Sequence, residues 1–203
     1  MGDAVLKLHA GDAITGTSYY SLFSGEADAA LMQHACFDAF ELGNHEFDDG
    51  DANLASFIDM LHDSTTCPDT KVLAANVVPG PTSPLVGKVD KSAVFSLNGE
   101  RVGVVGIDIA AKTMLSSRPS PGTMLTDEQA AAQAEIDVLI AHGINKIILL
   151  THVGYDDDNA VNDPGLATAL TGVDVIIGGD SHSLLGDSSY SLLGSVQGDY
   201  PTM

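Results

Sequence analysis

The sequence predicts an α/β domain of mainly parallel sheets flanked by helices. Short apolar runs of strand length alternate with segments of helical period, a pattern that places helices on the faces of a parallel sheet. At 203 residues and 44% hydrophobic content the chain can bury one sizeable core but not two. Several of the apolar runs also end in glycine followed by polar residues, as strands do where they feed a site.

Six strands are expected, over Val5–Leu8, Phe37–Phe40, Lys71–Ala74, Arg101–Gly106, Lys146–Leu150 and Asp174–Ile177. Ser18–His34, Asp51–His62, Asp127–His142 and Pro164–Leu170 carry Ala, Leu, Met and Phe at helical spacing and read as helices. Thr126 before Asp127 suits an N-cap, and Gly143 a C-cap. His34, His62 and His142 fall at helix ends, where the dipole favours a cation. The segments 79–84 and 116–122 are rich in Pro, Gly and Ser and read as surface loops. Ser-Leu-Leu-Gly recurs at 183–186 and 191–194, and two copies do not make a repeat architecture.

Eight basic residues against 28 acidic give a formal charge of −20, which repels nucleic acid and anionic membrane surfaces. This acidity is spread along the chain and reads as a solvated surface, as does Asp156-Asp157-Asp158-Asn159, which lacks the Gly and distal Glu of an EF-hand loop. No run of 18 apolar residues is present, so membrane insertion is not expected, and Met1–Val5 does not read as an export signal. Cys36 and Cys67 are expected as one buried thiol and one loop thiol rather than a disulfide.

Four of the expected strands end in residues able to bind metal. The first runs into Gly11-Asp12, the second into Gly43-Asn44-His45-Glu46-Phe47-Asp48, another into Thr151-His152, and the last into Gly178-Gly179-Asp180-Ser181-His182. In an open parallel sheet the carboxyl ends of strands share one edge, and glycine there lets a ligand approach the backbone. Oxygen and imidazole donors without thiolate suit Mn, Fe, Zn or Mg.

In these four segments, their order and their separation, the chain resembles the calcineurin-like metallophosphoesterases, and within them the 5′-nucleotidases and 2′,3′-cyclic phosphodiesterases. The resemblance spans about residues 4 to 200. It implies a β-sandwich with helices on both sides and divalent metal ions as cofactors. Asp12 would bridge two cations, Asn44, His152 and Asp180 would complete one of them, and His182 would bind the other. His45 would protonate the leaving alcohol, with Asp48 holding its imidazolium. Two adjacent cations offset the charge that builds on phosphorus and supply hydroxide at neutral pH.

The family pattern also has an Asp-x-His ahead of the Gly-Asp segment, and only Asp3 and His9 lie there; His9 reads as a structural or exposed histidine. One metal site would then keep only Asp12 and His182, so occupancy of a single site is the expectation. Asp180 stands where the pattern has histidine, which implies either a shift toward oxygen coordination or loss of that ligand. A C-terminal domain that grips the base is also expected to be missing. The chain is therefore expected to be incomplete, either a fragment or a remnant whose exposed sheet is covered in an oligomer or larger assembly. The expected activity is hydrolysis of nucleotides or small phosphate esters, with a non-catalytic structural or interaction subunit as the alternative. Family relatives tilt the expected location toward extracytoplasmic or secreted.

Overall fold

The computed structural model describes residues 5–63, 67, 69–155 and 161–186. Asp3, the acidic run 156–159, the second Ser-Leu-Leu-Gly copy and the C-terminal tail lie outside the described residues.

Two sheets form a sandwich. The first has three parallel strands in the order β1 (Leu8–Ala10), β2 (Ala39–Glu41), β3 (Lys71–Leu73). The second, four-stranded, has the order β5 (Ser92–Leu97), β6 (Glu100–Asp108), β8 (Ile147–His152), β9 (Val175–Gly178), all parallel except the β5–β6 hairpin. A short antiparallel pair, β4 (Val77–Val78) and β7 (Met124–Leu125), stands apart. The helices are α1 (Ser18–Phe23), α2 (Glu26–Ala35), α3 (Gly50–His62), α4 (Ala110–Ser116), α5 (Glu128–Ala141) and α6 (Asp163–Ala169).

Strand alternation explains the layers. Phe40 and Val72 point outward from the first sheet into a core with Leu54, Phe57, Ile58 and Leu61 of α3 and Met32 of α2. Ala39 and Leu73 point the other way and meet Val104 and Leu150 of the second sheet. On the far side, Val105, Ile107 and Leu149 pack on Ala132, Ile136 and Leu139 of α5 and Leu166 of α6. The order helix, sheet, sheet, helix is the expected sandwich, with a middle layer of Ala39, Leu73, Val104 and Leu150 flanked by Leu8, Phe95 and Ile148.

Several boundaries differ from the sequence reading. The expected helix 18–34 is two helices, because Ser24 and Gly25 both take left-handed φ, 49° and 93°. The first two strands run to Ala10 and Glu41, closer to the polar residues that follow them. Strand β5 was not expected, although Asn98-Gly99, with φ of 51° and 86°, is a two-residue hairpin turn. Helix α4 was also not expected; it is short and buries only Thr113.

Cys36 and Cys67 form a disulfide, correcting the expectation of two thiols. Cys36 caps α2 and Cys67 follows α3; packing of these two helices brings the Cα atoms to 5.5 Å across a separation of 31 residues, a proximity that spacing alone does not reveal. Among the described residues no helix is long and apolar enough to cross a membrane. Tyr19, Leu22 and Phe23 on α1 and Leu31 on α2 are exposed.

Candidate metal centre

The carboxyl ends of β1, β2, β8 and β9 open onto one edge of the sandwich, and there the loops deliver Asp12, Asn44, His152 and Asp180. His152 is the centre of the cluster and is 2% exposed. Its Nδ1 donates to the Ala10 carbonyl at 2.6 Å, which fixes the ring and aims Nε2 at the carboxylates. Nε2 lies 3.0 Å from Asp12 Oδ2 and 3.7 Å from Asp180 Oδ1, ion-pair distances without hydrogen-bond alignment.

Glycine makes this crowding feasible. A Cβ on Gly43 would stand 2.8 Å from His152 Nε2, and one on Gly179 2.9 Å from His152 Nδ1, both closer than carbon tolerates. The backbone is also strained where the candidate ligands sit: Asp12, Asp180 and His182 have φ of 57°, 82° and 51°. Such conformations persist only where surrounding contacts hold them.

For Asp12 the holding contact is Glu46. Fully buried, Glu46 accepts from the N–H groups of Gly43 at 2.6 Å, Asp12 at 2.8 Å, Ala13 at 2.7 Å and Ile14 at 3.3 Å. It ties the loop after β1 to the turn after β2. Asp12 Oδ1 in turn accepts from the His45 N–H at 3.0 Å.

His45 sits on a 3-10 turn, Asn44–Phe47, its Nδ1 2.6 Å from Asp48 Oδ2. Asp48 Oδ1 accepts from Ser117 at 2.9 Å, and the Arg118 N–H donates to Phe47 at 3.0 Å, so the loop after α4 is fastened beside the histidine. His45, Asp48, Asp49, Ser116 and Arg118 line a cleft of about 310 Å³.

A scan of family models matches the calcineurin-like phosphoesterase family over residues 2–184. The chain belongs to this family. As a calcineurin-like phosphoesterase it is 45% identical to the "Probable 5′-nucleotidase" of Treponema pallidum, over 97% of this chain and 31% of that protein. The solved Haemophilus influenzae NAD nucleotidase matches with a TM-score of 0.84 and 40% identity, over 97% of this chain and 37% of that one. A 5′-nucleotidase precursor from Thermus thermophilus gives 0.87 and 38%, over 100% and 37%. The chain thus spans about a third of the length of the relatives it matches. Calcineurin-like phosphoesterases are phosphoric ester hydrolases that use divalent metals.

The donor set of this calcineurin-like phosphoesterase fits such an ion. His152 Nε2, Asn44 Oδ1 and Asp180 Oδ2 are buried and have no hydrogen-bond partner. Orphaned buried polar atoms are rare, and one nitrogen, once deprotonated, with two oxygens beside Asp12 is a ligand set for a first-row or hard divalent cation. Among the described residues no three His, Cys, Asp or Glu side chains are already gathered as a cage. His182 is exposed and, among the described residues, makes no hydrogen bond or ion pair with the cluster.

Electrostatics set the charge states. Burial opposes ionisation of Asp12, but His152 and the His45 N–H outweigh it and hold its carboxyl below the usual range. Burial likewise opposes protonation of His152, and Asp12 overrides it, raising the imidazole to about 9. His45 is raised despite its partial burial, by Asp48 and Asp12. Glu46 is pushed up to about 7 by burial and then by Asp12, against the N–H donations of Gly43 and Asp12.

Sequence reasoning missed Glu46, Lys112 and Asp163. In the sequence Glu46 stands out only as part of the hexapeptide. Lys112 on α4 forms an ion pair with Asp180 Oδ1 across 68 residues. Asp163 accepts from Thr151 Oγ1 at 2.6 Å behind His152. His9, by contrast, lies edge-on to Phe37 and Phe40 at 5.2 and 5.5 Å, a packed histidine.

Proposed function

We propose that this chain carries the metal centre and proton donor of a phosphohydrolase acting on nucleotides or similar small phosphate esters. The observation that carries the reading is the convergence of three orphaned donors, on His152, Asn44 and Asp180, beside Asp12 and the His45–Asp48 pair. Asp12, Asn44, His152 and Asp180 would hold one cation, Mn, Zn, Fe or Mg, the carboxylates and amide favouring the harder ions; His182 would serve a second. A divalent ion there supplies positive charge for the transferring phosphoryl group and a nucleophile at neutral pH.

The chain's own residues do the rest. Asp48 raises the proton affinity of His45, so that the imidazole more readily carries the proton that a leaving oxygen in the adjoining cleft would take. In its protonated form the imidazole also attracts a phosphate that the overall charge of −20 repels. The printed names of the relatives, 5′-nucleotidases and an NAD nucleotidase, support a nucleotide as substrate.

An extracytoplasmic location is supported by the Cys36–Cys67 disulfide, which persists in oxidising compartments, and by relatives named as venom and precursor proteins. The exposed apolar residues of α1, with Leu31, support a covering partner or further segment in the whole protein.

Phosphate release from AMP and from p-nitrophenyl phosphate, with added Mn²⁺ or Zn²⁺, tests the reading in the native chain and in His45→Ala. A fall of about 10²-fold or more is expected on losing the proton donor. Equal rates in both proteins would remove the catalytic assignment and leave a binding or structural subunit.

A further inference from the structure

Asp180 is in an unusual position for a carboxylate. Its side chain is 2% exposed, and it lies near His152 and Asp163. Oδ2 has no hydrogen-bond partner, while Oδ1 pairs with the ammonium of Lys112. Lys112 comes from α4, an element that supplies none of the candidate ligands. The chain has only eight basic residues against 28 acidic ones, and one of them is spent on this carboxylate.

We propose that Lys112 is a surrogate cation for the metal centre: it neutralises Asp180 when no metal is bound and competes with the metal for that carboxylate. The inference rests on the metal-centre reading and deepens it. A buried carboxylate is costly unless its charge is compensated, and His152, 3.7 Å from Asp180, is already drawn to within 3.0 Å of Asp12, so the metal-free site needs a further positive group in the place a cation would fill. Lys112 meets that need from the edge, one third exposed, with a flexible stem able to carry its ammonium back to water. A neutral histidine at position 180 would need no such partner. The aspartate and the lysine therefore form one unit, which keeps the metal-free fold intact and lowers the affinity of the site for divalent cations.

The sign of the effect distinguishes this role from simple orientation of a ligand. Removing an ammonium beside a divalent ion relieves repulsion that even at surface-like screening corresponds to about tenfold or more in affinity. Removing a partner that merely orients a ligand instead weakens metal binding by about 10- to 100-fold.

The test is calorimetric titration of Mn²⁺ into the metal-stripped chain, with thermal melting alongside. Lys112→Met should bind Mn²⁺ at least about tenfold more tightly than wild type, melt lower without metal, and gain more in melting temperature on saturation. In an Asp180→Asn background the same substitution should leave affinity unchanged. Lys112→Gln, also neutral but more soluble, serves if the methionine variant does not fold, and Lys112→Arg should behave as wild type. Equal or weaker Mn²⁺ binding by the neutral variants, or tightening that persists without Asp180, overturns the proposal. Absence of Mn²⁺ binding in wild type would overturn the metal-centre reading and this inference with it. Phosphate release is not the readout, so failure of the Lys112 effect alone leaves the hydrolytic reading standing.

Discussion

Replacing Glu46 with glutamine tests whether the clamp on Asp12 is ionic. Each carboxylate oxygen accepts from two backbone N–H groups, Oε2 from Gly43 and Asp12 and Oε1 from Ala13 and Ile14. Glutamine keeps the shape but turns one oxygen into an NH₂ group, which faces two donors with a third. Two backbone N–H groups then lose their acceptor in a buried setting, at about 1–3 kcal/mol each, but the neutral amide also relieves the roughly 3 kcal/mol that ionising buried Glu46 costs, so a net loss of about 1 kcal/mol is expected. The assay is urea unfolding at pH 8, above the value of about 7 to which burial and Asp12 raise this group. Asp12 also loses its backbone anchor, and Mn²⁺ affinity should fall in the same variant. A loss of about 4 kcal/mol or more would refute the reasoning, because it would mean that the ionised carboxylate carries no burial cost in this clamp.

Three further outcomes are expected. Gly43→Ala has an ordinary φ of −104°, so its cost is the clash of the new methyl with the Asp12 carboxylate, the Asp12 backbone nitrogen at 2.8 Å and His152 Nε2 at 2.8 Å, about 1–3 kcal/mol in urea unfolding together with weakened Mn²⁺ binding in calorimetry. Metal-free protein should lose stability as pH rises from about 5 to 9: Glu46, Asp163 and His152 have folded values raised to about 7, 6 and 9, so each contributes fully below its unfolded value and loses that contribution as pH passes its folded one. Glu46 alone accounts for roughly 3 kcal/mol; His9, kept neutral by burial, opposes the trend only below its ordinary range, and melting curves in EDTA that stay flat or rise with pH would contradict it. Cys36→Ser opens a loop closed across 31 residues and should cost about 3–4 kcal/mol, read as a shift in the urea midpoint that wild type reproduces only under reduction.

The candidate site could be picked out in the sequence wherever a strand, a glycine and a polar residue stood in succession. Gly11-Asp12, Gly43-Asn44-His45, Thr151-His152 and Gly179-Asp180 announce themselves because a sheet edge gathers strand ends whatever the intervening loops do. The supporting residues carry no such local mark. Glu46 meets three of its four donors 32 to 34 residues away and Lys112 its acceptor 68 residues away, contacts that only packing of α4 and the β1 loop creates. Helix α4 escaped because so short a segment buries too little to show a period, and the disulfide because two distant cysteines have no spacing rule. The β5–β6 hairpin is different: Asn98-Gly99 was a readable turn between apolar residues.

The candidate ligands are divided between the two sheets. Asp12 and Asn44 follow β1 and β2, while His152 and Asp180 follow or end β8 and β9. Between the sheets lies a side-chain contact built on Ala39, Leu73, Val104 and Leu150, and backbone bonds tie the sheets along the β3 edge, where Ala75 donates to Gly106 and Leu73 bridges Asp90. An ion held by all four ligands would act as a rivet joining two plates at one margin. Amide exchange in β1 and β9 should then slow together on loading, even though these strands belong to different sheets, and shear between the plates would become the motion that opens the site.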